Sequence, residues 1–235
     1  MLYLFIGAAI LNVYAATLII CRSVVYRTTL YRPMLLNIGL SILPILLLGL
    51  AYLALITLLP VNGVLAGAVV TVLGLGWLLM LPNASYLITE LNQSHRAEND
   101  PVPLWYDIIL VISLAMSGVI NTIVNVFVAQ LLYGVVLFDD RALSFFRPRS
   151  MIMLTVVLLL VGLGMYLGRY LRLNSWDVRH PIAFLRRVGA HFRERGNALA
   201  CFGFTLTYAI FIGILYLTIV TPIIAGLYEL ELTRQ

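Results

Sequence analysis

Lysine is absent from these 235 residues, and all 15 basic side chains are arginine. That excludes a phosphate-binding loop of the Gly-Lys-Ser type and any Schiff-base amine. Charge of either sign is scarce, at 11% of the chain. Soluble domains carry about a quarter charged residues, so this chain has too few to cover a globular surface in water. The two cysteines, Cys21 and Cys201, lie far apart and in no metal-type spacing. The three histidines, His95, His180 and His191, form no His-Glu-x-x-His arrangement, so a metalloprotease site has no support. No metal, no cofactor and no nucleic-acid partner is expected.

What the chain has in abundance is apolar sequence: 62% of it is hydrophobic, and the mean hydropathy is +1.02. A hydrocarbon core of roughly 30 Å needs about 20 apolar residues per crossing helix. The runs are continuous rather than alternating, which excludes a membrane barrel. The expected fold is an all-α polytopic transmembrane bundle forming one membrane domain. Its six spans fall near residues 2–20, 34–59, 64–81, 105–138, 151–171 and 198–220. The first run has Arg22 after it and no basic residue before it, the reverse of a secretory signal, so it reads as a retained helix. Pro44 is expected to kink the second span. Pro60-Val61-Asn62-Gly63 reads as a tight turn.

One further helix is expected between spans five and six. From Pro181 to Arg195, Ile182, Leu185, Val188, Gly189 and Phe192 recur at helical spacing opposite Arg186, Arg187, Arg193 and Arg195. That pattern describes an amphipathic helix lying in the headgroup plane.

With six crossings the links alternate sides. Eleven arginines fall on one side: Arg22, Arg27, Arg32, Arg96, Arg169, Arg172, Arg179, Arg186, Arg187, Arg193 and Arg195. Four fall on the other: Arg141, Arg147, Arg149 and Arg234. The positive-inside rule assigns the first group to the cytoplasm and both termini to the outside. Both cysteines then lie near the reducing face, and no disulfide is expected.

Two links on that face carry opposite charge. Pro82–Asp107 sets Glu90, Glu98, Asp100 and Asp107 against Arg96, a net −3. Gly168–Gly196 sets seven arginines against Asp177 and Glu194, a net +5. Opposite potentials beside a low-dielectric boundary attract. The pair reads either as a structural clamp or as a polar site. Asn83, Tyr86, Thr89 and Glu90 share a short helical face. Trp105 and Tyr106 suit an interfacial belt, and Asp107 suits the positive end of span four. Arg169 and Arg172 are placed to reach phosphates, with Asn174, Trp176 and Asp177 beside them. Glu90, Asp107 and Asp177 are the acid/base candidates. Asn83, Tyr86, Trp105, Arg169, Arg172, Asn174 and Trp176 are the binding candidates.

Span four has a polar continuation. Ser113, Ser117, Asn121 and Asn125 follow at four-residue steps, with Asn125 five full turns beyond Asp107. They read either as interhelical packing groups or as a furrow of Ser117, Asn121 and Asn125 leading toward the bilayer middle. No second aspartate within a span supports an aspartyl intramembrane protease beside Asp107. No histidine within a span activates Ser117 as a nucleophile.

Three motifs carry a family resemblance. They are Leu81-Pro82-Asn83-Ala84-x-Tyr86-x-x-Thr89, then Pro103-x-Trp105-Tyr106-Asp107, then Gly168-Arg169-x-x-Arg172-x-Asn174-Ser175-Trp176-Asp177. In this order they resemble the integral membrane family catalogued as domain of unknown function 1361. The family pattern carries Pro where Ser85 stands and Asp where Glu90 stands. The resemblance implies a bacterial plasma-membrane protein of several spans and supplies no activity. The expected partners are membrane lipids, anionic headgroups included; the oligomeric state stays open. Three roles fit the sequence: a cytoplasmic-side site for an anionic or lipid-linked headgroup, a small-solute transporter using the span-four furrow, or an accessory subunit without catalysis.

Overall fold

Apolar runs of this length have one way to satisfy their backbone in a bilayer, which is to bond within each run as a helix. The computed structural model describes residues 2–92, 101–138, 145–171 and 181–233. Among these the structure is helical with no strand, and six helices are long and apolar enough to cross a membrane. They are α1 (Leu2–Val25), α2 (Arg32–Leu58), α3 (Gly63–Tyr86), α4 (Leu104–Phe138), α5 (Pro148–Tyr170) and α7 (Asn197–Leu232). The short amphipathic helix α6 spans Pro181–Arg193, and a 3-10 helix, Leu87–Asn92, follows α3. This is the expected all-α polytopic bundle, a multi-pass membrane protein.

Local chemistry sets several ends. Pro33 and Pro148 occupy first turns of α2 and α5, where the missing N–H costs nothing. Asn62 is more than a turn residue. Its side-chain oxygen accepts from the N–H groups of Val64 (3.0 Å) and Leu65 (3.1 Å), capping α3.

Two spans run further than their apolar stretches imply. α3 continues through Pro82 to Tyr86 rather than ending at Leu81, and α7 continues through Pro222 rather than ending near Val220. Proline inside a membrane helix is tolerated where neighbouring helices accommodate the disturbed turn. For Pro82 the neighbour is visible. Its ring lies against Gly164 of α5, where an added Cβ would come 2.8 Å from Pro82 Cβ. Pro44 likewise sits buried inside an uninterrupted α2.

α4 is the most buried span and the axis of the bundle. α1 and α2 pack on one flank of it while touching each other little. α3 pairs with α2 and also meets α5, and α5 pairs with α7 on the other flank. The larger apolar core joins α3, α4, α5 and α7 around Phe127, Leu158, Met165, Ile212 and Tyr216. A second core joins α1, α2 and α4 around Ile19, Ile38, Tyr106, Leu110 and Leu114.

Candidate functional site

The helix ends nearest the first two polar links lie together. α1 closes with Arg22 in its last turn, and α4 opens with Asp107 in its first. A cation at a helix C-terminus and an anion at an N-terminus each suit the local dipole. Because α1 and α4 are antiparallel neighbours, the two groups meet: Arg22 Nε donates to Asp107 Oδ1 at 2.8 Å, with about a fifth of each side chain exposed. The chain after α1 folds back to hold the arginine. Thr28 Oγ1 donates to the Arg22 carbonyl (3.2 Å), Arg22 Nη1 donates to Thr28 Oγ1 (3.2 Å), and Ser23 Oγ donates to the Thr28 carbonyl (2.8 Å). Arg27 takes the left-handed conformation (φ 51°) that this reversal requires. Next to the pair, the Tyr106 hydroxyl donates to the Leu18 carbonyl at 2.8 Å.

On the opposite flank the two links of unlike charge also touch. Arg169, in the last turn of α5, donates through Nη1 to the Thr89 carbonyl at 2.8 Å. Thr89 is buried, and its hydroxyl donates to the Tyr86 carbonyl at 2.7 Å, so the acceptor sits on a fixed turn. Among the described residues this is the one hydrogen bond of the half-buried Arg169 guanidinium. Asn83 and Tyr86 are half-buried at the same end of α3, and Trp105 is exposed on the outer surface of α4. Arg172, Asn174, Trp176, Asp177 and the Glu90 side chain lie outside the described residues.

α6 attaches at this end too. Tyr166 Oη lies 2.9 Å from His191 Nε2, and Tyr166 donates to the Asn197 carbonyl at 3.2 Å. Asn197 Nδ2 reaches the His191 carbonyl (2.9 Å) and Glu194 Oε2 (3.0 Å). These bonds tie α6 to α5 and α7 at its C-terminal end, while Ile182 and Leu185 stay exposed on its apolar face.

The polar row of α4 divides into separate groups. Ser117 turns back to the Leu114 carbonyl (2.7 Å) on its own helix. Asn121 reaches across to two other spans. It exchanges amide bonds with Asn12 of α1 (2.8 and 3.0 Å) and donates to Ser41 of α2 (2.8 Å). Asn125 accepts from Trp77 Nε1 of α3 (3.1 Å) and donates to the Asn121 carbonyl (2.8 Å). Toward the Arg22 end the row is closed off by the apolar cluster around Ile19, Ile38, Leu110 and Leu114. Past Asn125 it meets buried Val126 and Phe127.

One turn further, Gln130 forms a network that the spacing argument did not anticipate. Its Nε2 donates to Ser150 Oγ (2.7 Å) and the Phe145 carbonyl (3.2 Å), and its Oε1 accepts from the Tyr216 hydroxyl. Asn12, Ser41 and Trp77 were missed for the same reason as Gln130. Each stands alone in an apolar run, and its isolation at bilayer depth was the available signal.

The site therefore sets arginine side chains at one end and uncharged hydrogen-bonding groups within the bundle. Among the described residues no group of three or more His, Cys, Asp or Glu side chains could hold a metal. No curated protein and no solved structure matches the chain. The family described as Protein of unknown function (DUF1361) matches residues 36–220, from early in α2 to late in α7. That span includes all three motifs and most of the sequence, and the chain belongs to the DUF1361 family.

Proposed function

We propose that this protein binds an anionic or lipid-linked headgroup at the arginine-bearing ends of its spans, in a bacterial plasma membrane. Those ends face the cytoplasm in this reading, and both termini face out, because eleven of the fifteen arginines lie on the links at that side. The observation that carries the proposal is Arg169. Its guanidinium is half-buried at the junction of the acidic and basic links, and among the described residues a backbone carbonyl rather than a carboxylate holds it. An arginine fixed this way keeps its charge and most of its five N–H donors for a planar, multidentate anion such as phosphate. The half-buried Asn83 and Tyr86 supply further polar groups at the same boundary, and Arg172 follows three residues on in the sequence.

Asp107 is committed to Arg22 and acts in this reading as a positioning group that locks α1 to α4. The solute-carrier alternative is less well supported, since the polar row of α4 is interrupted by apolar packing on both sides of Asn121 and Asn125.

The test is lipid retention by the purified full chain in nanodiscs of phosphatidylcholine with a minor share of phosphatidic acid, read by native mass spectrometry. Arg169→Gln should lower phosphatidic acid retention about tenfold, as expected for one lost charge-assisted contact. Arg147→Gln, at the opposite end of α5, should leave retention unchanged. Equal retention by the wild type and Arg169→Gln would sink the headgroup reading. A reporter fused after Gln235 that behaves as cytoplasmic would reverse the orientation.

A further inference from the structure

Between α1 and α2, where both lean on α4 and barely touch, a cavity of about 290 Å³ opens. Its mouth is formed by Phe5, Ala9 and Val13, which are exposed on the outer surface of α1. Its inner wall includes buried Asn12, Ser41, Asn121 and Asn125. α1 is about 36 Å long at 1.5 Å per residue, and Asn12 sits near its middle, so the mouth opens onto hydrocarbon rather than water. The apolar cluster around Ile19, Ile38 and Leu114 separates the cavity from the arginine-bearing end. Access is sideways, from the bilayer.

The hydrogen bonding of this wall is incomplete in one place. Asn12 and Asn121 use both of their amide hydrogens, on each other, on the Ala8 carbonyl and on Ser41. Ser41 donates to the Ile38 carbonyl. Asn125 is 1% exposed and donates one amide hydrogen, to the Asn121 carbonyl; among the described residues its second has no acceptor. An amide nitrogen carries two hydrogens, so Asn125 Nδ2 can donate once more, and the cavity beside it is where a further acceptor can come from. No charged residue lines the cavity, so the acceptor must be uncharged.

We propose that this cavity is a binding site for an uncharged membrane amphiphile, a hydrocarbon chain bearing a hydroxyl or carbonyl whose oxygen accepts from Asn125. The apolar walls from Phe5, Val13, Ile42, Ile45 and Val124 hold the chain, and the polar group fixes its depth. The site is independent of the headgroup reading, because neither Arg169 nor Asp107 takes part.

The experiment uses the full chain in phosphatidylcholine nanodiscs with two photoactivatable probes of equal chain length, a diazirine-bearing C16 alcohol and the matching fatty acid. The alcohol should label α1 and α2 around the mouth, and the charged acid about tenfold less. Ile45→Trp fills the cavity without removing a hydrogen bond, and should lower labelling by the alcohol about tenfold while the protein stays monodisperse and folded. Asn125→Leu should do the same. If that variant does not fold, Ile45→Trp decides alone. Labelling indifferent to Ile45→Trp, equal labelling by alcohol and acid, or crosslinking of this face to a second copy of the chain would each overturn the proposal.

Discussion

Two buried amide networks hang from the same helix, two and a half turns apart. Asn121 joins α4 to α1 and α2 and lies beside a cavity. Gln130 joins α4 to α5 and α7 and is 1% exposed in a sealed interior. Their chemistry is nearly the same, so the difference lies in the helices they connect. α5 and α7 approach closely at Gly162, where an added Cβ would meet the Thr205 carbonyl oxygen at 2.7 Å. No such approach joins α1 to α2, which share α4 as a common support. The Gln130 network lies between helices in extensive contact, about three turns from their closest approach at Gly162, whereas the Asn121 network lies under two helices that barely touch, beside a cavity.

The comparison breaks most decisively at Gly162. Gly162→Ala should destabilise the α5–α7 flank by about 2–3 kcal/mol, since backbone has to move. Thermal unfolding in detergent should show the loss, while Gly203→Ala, with open space around it, should stay within about 0.5 kcal/mol of wild type. Gln130→Leu comes next. It strands the Tyr216 and Ser150 hydroxyls in a sealed interior and should cost about 2 kcal/mol by the same measurement.

Asn121→Leu should cost less, about 1 kcal/mol, because interhelical hydrogen bonds in membranes average about 0.6 kcal/mol each and the adjoining cavity gives the neighbours room to relax. Asn12→Leu combined with Asn121→Leu should be no worse than the sum of the single changes, and better if each single change orphans its partner. A double variant far worse than that sum would contradict the pairing. The smallest effect belongs to Asp107→Asn. With the pair partly exposed, replacing the charge should cost under about 1 kcal/mol and leave the fold intact. A larger loss would make the Arg22–Asp107 contact a principal fold determinant rather than a local lock.

Not every part of this chain was equally legible. α6 could be read nearly residue by residue, because its two faces differ in polarity. The motifs around Pro82, Trp105 and Arg169 marked one end of the molecule as special. They did not reveal that Asp107 pairs with Arg22 or that Arg169 reaches a carbonyl. Within α4, the four-residue spacing singled out Asn121 and Asn125 as groups sharing a face. It joined Ser117 to them, although that hydroxyl bonds its own helix.

Composition and run length by themselves determined a multi-pass membrane protein with six helices long and apolar enough to cross, since long apolar runs have no other way to satisfy their backbones in a bilayer. The parity of the crossings put the charged links on a common side. Only the tertiary structure decided which face of each span looks inward. In a bilayer the buried and lipid-facing sides are equally apolar, so periodicity carries almost no rotational signal. The partners Asn12, Ser41, Trp77 and Arg22, and the cavity beside Asn125, follow from those rotations.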